Sequence, residues 1–342
     1  MCLTTNIKLM VAKRDITCYK VLRPEGENKY VTPCQGTPTE LNKTLKAGRK
    51  TKYNKEGSNC IEGGFIHALL IVEDSSGGFG DNCKTFVSTI PAGTEFYVAD
   101  DFSQICAREI FITDKVVKKA DGRETIGYIM DILKEDYKQI IEEGKVSIGD
   151  FCVVQKDGSK KYIHRNEYTP EIDKDIIGVV GFYDENGNPV VVSRDEGEER
   201  WCTLDWDKRP LINNAVSYDN YEKSLNGKEL TENILKSKHY KASDYPLFKY
   251  ISKYKTKGTK AGDWYVGAIG ELKKMSENTI QINLSLYLLD GAKLLYYWLW
   301  SSSEYNSRYA WRLSPSDGDV STYGYGTKGH SYRVRAFAAF NA

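Results

Sequence analysis

The sequence predicts an α+β protein, with a mostly β N-terminal part followed by a part in which strands flank a group of helices. Three observations carry this expectation. Residues 1–115 hold short apolar clusters separated by turn chemistry. Between residues 125 and 289, several stretches repeat apolar positions at helical spacing. From Tyr296 onward the chain reads as strand and loop. A length of 342 residues exceeds what one small core organises and suits two or three domains.

In chain order, the apolar clusters Ile16–Leu22, Phe65–Val72, Phe86–Ile90 and Glu95–Val98 read as strands. TFVSTI and EFYVAD, joined by PAGT, read as a hairpin whose turn uses Pro91 and Gly93. Residues 35–63, rich in Lys, Gly, Asn and Thr, read as a long polar loop or flap. The glycines of SSGGFGDN (Gly77, Gly78, Gly80) read as a turn, because a phosphate loop would end in Gly-Lys-Ser/Thr and open a helix. Ile126, Ile129, Ile132, Leu133, Tyr137, Ile140 and Ile141 place a helix over 125–143, stopped by Gly144. Val146 to Ile163 reads as a hairpin turning at Asp157-Gly158, and the polar stretch 166–174, with Pro170, marks the main boundary.

The second half opens with strands Ile176–Tyr183 and Val190–Arg194, joined by the hairpin signal ENGN. Helices are expected at about Tyr218–Lys236, Tyr245–Tyr254, after Trp264 with Ile269, Leu272 and Met275 on one side, and over Ile280–Leu289. The resulting division is a β-rich domain over 1–115, a connecting helix and hairpin over 116–174, and a mixed domain over 175–342.

Charge and composition restrict the function classes. A formal net charge of +1, with lysines interleaved among acids as in Lys134–Lys138 and Asp205–Arg209, gives no field for nucleic acid or anionic lipid. No apolar run reaches spanning length, so no membrane insertion is expected. The opening MCLTTNIKLMVAKRD lacks a signal-peptide apolar stretch, so the expectation is synthesis in the cytoplasm without a signal peptide. Eight cysteines, none closer than 16 residues to the next, and four scattered histidines (His67, His164, His239, His330) offer no zinc spacing. Free, partly buried thiols and no metal or organic cofactor are expected.

The segment Tyr296–Tyr332 is the most informative. Seven Tyr, eight Ser and four Gly make up just over half of its 37 residues. Tyrosine gives a large, rigid, half-polar contact at low entropic cost, while Ser and Gly adapt, a mixture that also dominates antibody loops. Trp298, Trp300 and Trp311, with Val334, Phe337 and Phe340 after them, are core anchors flanking this composition.

The words WSSSEY (Trp300–Tyr305), Ala310-Trp311, Asp317-Gly318 and RVRAFAAF (Arg333–Phe340) supply a framework. WYVGAIGEL (Trp264–Leu272) and INLSLYLLDG (Ile282–Gly291) lie upstream of it. Together these resemble the variable proteins of diversity-generating retroelements in gut bacteria and their phages. The resemblance covers 175–342 and implies a C-type-lectin-like fold, in the branch that contains the formylglycine-generating enzyme. In that family a reverse transcriptase rewrites adenines in a repeat, so Asn codons become codons ending in a pyrimidine. Such codons encode Tyr, Ser, Gly, Arg, Leu, Thr, His and Asp among others, but never Lys, Glu, Gln, Met or Trp. Leu299, Ser307, Arg308, Tyr309, Arg312, Ser314, Ser316, Asp319, Ser321 to Gly326 and His330 to Tyr332 all fall in the reachable set. Lys328 does not, and is assigned to the framework.

The resemblance therefore implies a binder rather than an enzyme. Its candidate ligand-binding residues are Leu299, Tyr305, Ser307, Arg308, Tyr309, Arg312, Ser314, Ser316, Asp319, Thr322, Tyr323, Tyr325, His330 and Tyr332. The ligand would be a protein or glycan on a cell surface, as in receptor recognition by a phage tail-associated protein. Residues 1–115 would serve attachment, homo-oligomerisation or virion assembly. Arg333 and Arg335 are expected to pair with framework carboxylates such as Glu304. An alternative is a metal-independent glycan-binding lectin, since the calcium-binding Glu-Pro-Asn, Gln-Pro-Asp and Trp-Asn-Asp triplets are missing. An oxidase of the formylglycine-generating type would use a cysteine pair, and 175–342 holds Cys202 alone. Asp317 and Asp319, separated by Gly318, read as a turn.

Overall fold

The computed structural model describes residues 7–27, 29–33, 36–48, 65–72, 80, 82–134, 136–137, 145–292, 295, 297–315, 320 and 325–340. It is an α+β protein built mostly of antiparallel sheets, divided into two compact units, Met1–Glu135 and Asp136–Ala342.

In the first unit, β1 (Met10–Val11), β2 (Ile16–Pro24), β3 (Tyr30–Val31), β4 (Pro38–Thr39) and β5 (Lys43–Lys46) precede β6 (Ile66–Leu69). After them come β7 (Lys84–Ile90), β8 (Glu95–Val98), β9 (Gln104–Ala107), β10 (Glu109–Val117) and helix α1 (Arg123–Leu133). The strands form one sheet in the order β1-β8-β9-β6-β2-β7-β10-β5, with β3 paired to β2 and β4 to β3. Alternation along β7 and β8 buries Phe86, Ile90, Phe96 and Val98. The turn after Ile90 forms as its Pro and Gly require, with Thr94 N donating to Pro91 O at 3.2 Å. It is not a hairpin, because β7 pairs with β2 and β10 while β8 pairs with β1 and β9. Part of the expected polar loop is strand β4 and β5; residues 49–64, and the glycines at 77 and 78, lie outside the described residues.

Helix α1 buries Ile126, Ile129 and Leu133, and Thr125 Oγ1 donates to Thr17 O on β2 at 2.9 Å. Gly122 precedes it at φ 62°, where a Cβ would stand 2.1 Å from Leu70 O, so no other residue fits. The helix therefore belongs to the first unit, and residues 116–174 are not a separate connector. The hairpin that follows, β11 (Phe151–Val154) and β12 (Lys160–Ile163), extends the second unit's main sheet. All four residues of β11 are buried there, which its run Phe-Cys-Val-Val favours.

That sheet has the order β12-β11-β13-β14-β21-β16, where β13 is Ile176–Tyr183, β14 Pro189–Ser193, β16 Tyr265–Val266 and β21 Ala336–Ala339. The β13–β14 hairpin forms as expected, with Asp184 Oδ1 accepting from Asn186 N and Asn188 N, both at 2.8 Å. The first strands of this half and the last one are neighbours, since β14 pairs with β21. A second sheet runs β15-β20-β17-β18-β19, where β15 is Gly197–Arg200, β17 Leu299–Glu304, β18 Tyr309–Leu313, β19 Tyr325–Thr327 and β20 Ser331–Val334. Two of the chain's four passages between the sheets, from β14 to β15 and from β20 to β21, run through short links. Buried Arg335 ties both crossings, donating to Ser193 O (2.8 Å) and Arg194 O (3.0 Å) and pairing with Glu196 at 3.3 Å.

Among the described residues four α-helices complete the unit: α2 (Gly227–Lys236), α3 (Pro246–Lys253), α4 (Ile269–Ser276) and α5 (Thr279–Leu288). Ile234, Phe248 and Ile251 pack into one core with Ile177 and Val191 of the first sheet and Trp300, Ala310 and Val334 of the second. The single helix expected over 218–236 is broken into a 3-10 helix, Tyr218–Lys223, and α2. The break has a cause. Ser224 O accepts from Gly270 N at 3.0 Å, its Oγ bonds Ser303 Oγ at 2.9 Å, and Gly227 lies so close to Glu271 that a Cβ would stand 2.2 Å from Oε2.

Glu271 joins these helix starts: Oε2 accepts from Ala268 N at 2.7 Å, Gly227 N bonds the same carboxylate, and the Tyr265 hydroxyl bonds Oε1 at 3.2 Å. Burial pushes its carboxyl up to about 8, against the downward pull of those donors. An acid raised in the folded state above its usual 4.5 stabilises fully below that value and loses its contribution as pH rises toward 8. All six tryptophans lie in the second unit, so tryptophan fluorescence during urea unfolding reports that unit alone. Between pH 5 and pH 8 the wild-type unit is expected to lose more stability than Glu271→Gln, by on the order of a few kcal/mol. Equal pH dependence of the two proteins contradicts the assignment.

Candidate ligand-binding surface

Of the framework words, Trp300–Glu304 and Ala310-Trp311 are buried in the second sheet, Arg333–Phe340 runs from β20 into β21 of the first, and Asp317-Gly318 lies outside the described residues. Trp300 and Trp311 are buried, as is Trp201 on the approach to them. Each indole N–H is satisfied by a different segment: Trp201 donates to Ser301 O (3.0 Å), Trp300 to Glu199 O (3.1 Å) and Trp311 to Val216 O (2.9 Å). Trp311 is further packed by the rings of Tyr218, Tyr221 and Tyr305.

At the end of β17 lies a buried ion pair, Glu304 with Lys328. Glu304 Oε2 also accepts from Ile212 N (3.0 Å) and Asn213 N (2.7 Å), and its backbone carbonyl accepts from Val216 N (2.8 Å). The Lys328 ammonium lies 4.3 Å from the Trp201 ring centroid, while its backbone receives Cys202 N (2.9 Å) and donates to Arg308 O (3.1 Å). Burial lowers the pKa of Lys328, and Glu304 opposes that shift. The expected partnership of Glu304 with Arg333 and Arg335 is therefore corrected. Arg333 instead meets Glu198 (3.0 Å) and Glu196 (3.7 Å), because β15 pairs with β20 and brings its acids alongside.

Seven of the candidate residues are at least partly exposed: Tyr305, Ser307, Arg308, Tyr309, Arg312, His330 and Tyr332. Two are not. Leu299 is 1% exposed and Ser314 6%, so both belong to the scaffold; Leu299 is held between Leu313 and Arg333 in neighbouring strands. Ser316, Asp319, Thr322 and Tyr323 lie outside the described residues, and Tyr325 is described only as part of β19.

Contacts join the exposed ones into a band. The Arg308 guanidinium lies 3.8 Å from the Trp206 ring centroid, and its carbonyl accepts from Arg209 Nη1 at 3.3 Å. Arg209 Nη2 covers Gly329, where a Cβ would stand 3.0 Å away. His330 follows, with its Nδ1 3.5 Å from the Tyr332 hydroxyl. Tyr332 then flanks Arg312 (4.3 Å), whose other neighbour is Trp298 (4.1 Å). Beyond Arg308, the β17–β18 hairpin is closed by Asn306 Oδ1, which accepts from Arg308 N (2.8 Å) and Tyr309 N (2.9 Å). Tyr305 N bonds Tyr309 O across its base at 3.0 Å.

Chemically, the band presents planar cations held on aromatic faces. Stacking fixes each guanidinium at small entropic cost, and a guanidinium edge suits a carboxylate, carbonyl or hydroxyl. Burial lowers the pKa of Arg312, a cation already partly stripped of water. Trp206, Arg209 and Trp298 are members that composition did not single out as ligand-binding. Trp206 carried a signal, a large apolar residue between two aspartates, and it is 55% exposed. Cys202 is buried and burial raises its thiol pKa, as it does to about 12 for Cys152.

Lys328→Met is expected to lower the stability of the second unit by about 3–5 kcal/mol, since it leaves Glu304 buried without a counter-charge. The double change Glu304→Gln, Lys328→Met should recover part of that loss. Urea titration followed by tryptophan fluorescence measures both. A single variant as stable as wild type means that the pair is not the closed, dry contact described above.

No protein-family model matches the chain, and no curated protein matches it. Among solved structures, a fimbrial protein from Bacteroides ovatus is similar over 96% of this chain and 71% of its own, at 14% identity and a TM-score of 0.42. A likeness that slight assigns the chain neither a fold nor a role.

Proposed function

We propose that the second unit is a ligand-recognition domain of C-type-lectin-like fold, whose segment 296–332 is diversified by a retroelement. The observation that carries this reading is the continuous arginine–aromatic band seated on a buried framework. Its members Arg308, Arg312, His330 and Tyr332 lie within the reach of pyrimidine-ending codons, whereas Trp298 and the buried Trp300, Trp311, Glu304 and Lys328 lie outside it. Such a division lets the surface change without emptying the core. The adjacency of the half-chain's opening hairpin and its last strand, through the β14–β21 pair, supports the fold assignment.

The ligand is a protein or glycan on a cell surface. Tyrosine, tryptophan and arginine supply the anchors that dominate such contacts. The first unit serves attachment or assembly, in a virion or as a homo-oligomer, and the whole acts in host or receptor recognition. No catalytic role is assigned to either unit.

The test is binding of the fluorescently labelled full chain to a panel of fixed gut Bacteroidales cells. Arg308→Ala with Arg312→Ala should lower bound fluorescence on the recognised cells at least tenfold, with the urea midpoint unchanged. Undiminished binding by the double variant removes the band from the binding site. For diversification, the reading requires a near-identical template repeat beside a reverse transcriptase gene in the source DNA.

A further inference from the structure

A groove of about 450 Å³ opens in the second unit between the segment 212–217, the 3-10 helix Tyr218–Lys223 and α2. Five asparagines line it: Asn213, Asn214, Asn220, Asn226 and Asn233. None of them belongs to the segment 296–332. We infer that this groove binds a neutral saccharide, independently of the arginine–aromatic band.

The lining selects that chemistry. A primary amide carries two donors and a two-lone-pair acceptor, which matches vicinal hydroxyls that each donate and accept. The charged lining residues, Lys223 and Glu229, cancel, and each is engaged by an asparagine. Lys223 Nζ donates to Asn220 Oδ1 (3.3 Å), and Glu229 Oε2 accepts from Asn226 Nδ2 (2.9 Å). A phosphate-bearing ligand would need an excess of cations that this lining does not have. An extended peptide would need apolar pockets, and the apolar lining is limited to Ile212, Ala215, Val216 and Leu230.

The groove also has open hydrogen-bonding capacity. Asn213 is buried to 95%; its Nδ2 donates to Leu230 O at 3.2 Å, while its Oδ1 has no partner among the described residues. A buried acceptor without a donor costs about 1–3 kcal/mol, but this Oδ1 is closed to solvent, so the capacity open to a ligand is that of the exposed amides. The amides of Asn214 and Asn233 are exposed and make no hydrogen bond to the described residues. The wall that carries Asn213 is held in place, because Ile212, Asn213 and Val216 are all bonded to Glu304. The volume is within the range of small-ligand sites and accommodates about one or two sugar rings.

The experiment is saturation-transfer NMR with calorimetry on the full chain, using glucose, galactose, mannose, N-acetylglucosamine and their common disaccharides. Glucose 6-phosphate and trialanine serve as the charged and peptide probes. At least one neutral saccharide is expected to bind saturably, with a dissociation constant in the millimolar range. Asn214→Ala with Asn233→Ala, which removes no internal bond, should weaken it at least tenfold. Arg308→Ala with Arg312→Ala should leave it unchanged. The inference is overturned if no neutral saccharide binds, if only the phosphate or peptide probe binds, or if the asparagine variant binds as wild type. Saccharide binding lost in the arginine variant alone places the sugar on the band, which sinks the groove and leaves the recognition reading standing. Failure of the cell-binding test leaves the groove intact.

Discussion

Glu304 has no exposure to solvent, and Lys328 reaches it from the strand–turn that follows β19. Burying two charges is expensive, and their attraction repays that cost only when the remaining lone pairs are also satisfied. Here they are, by the amides of Ile212 and Asn213. The pair thereby holds three distant parts of the chain in one arrangement: the end of β17, the return segment before β20, and the loop at 212–216. Its value is positional rather than a gain in net stability. A hydrophobic substitute of similar volume would pack, but it would not select this register.

Both features of the second unit that we propose bind ligands depend on that arrangement. The backbone of Lys328 bonds Arg308 O, so the buried pair fixes the base of the hairpin that carries Arg308 on Trp206. The other side of the pair fixes Asn213 at the floor of the polar groove. The three buried indoles repeat the device, each donating its N–H to the backbone of another segment. Outer side chains such as Arg308 and His330 can then vary at smaller cost than the buried ones, while the rings of Tyr305 and Tyr332 also pack on Trp311 and Trp300.

What was legible in the sequence was local. The Asn-Gly turn between β13 and β14 and the helical spacing of α3, α4 and α5 are signals within a few residues, and all formed. The expected β7–β8 hairpin shows the opposite case: its turn is local, but the partners of each strand lie elsewhere in the chain. The fracture of the helix over 218–236 required Glu271 and Ser303, which approach from sequence positions far downstream. Lys328 is buried, as a framework position would be, but its partner was not legible, because pairing across a sheet depends on register. Leu299 was misplaced for the same reason: its residue type suits a variable position, and only its neighbours Leu313 and Arg333 show that it is enclosed.

The central claim is that surface and scaffold are separable within one short segment. A display library measures this directly. Positions 307, 308, 309, 312, 330 and 332 are randomised over pyrimidine-ending codons in one arm, and positions 300, 304, 311 and 328 in the other. The readout is the fraction of members that resist protease. The account predicts that most members of the first arm stay folded while nearly all of the second are digested. Comparable survival in the two arms would show that the segment has no protected framework and would contradict it.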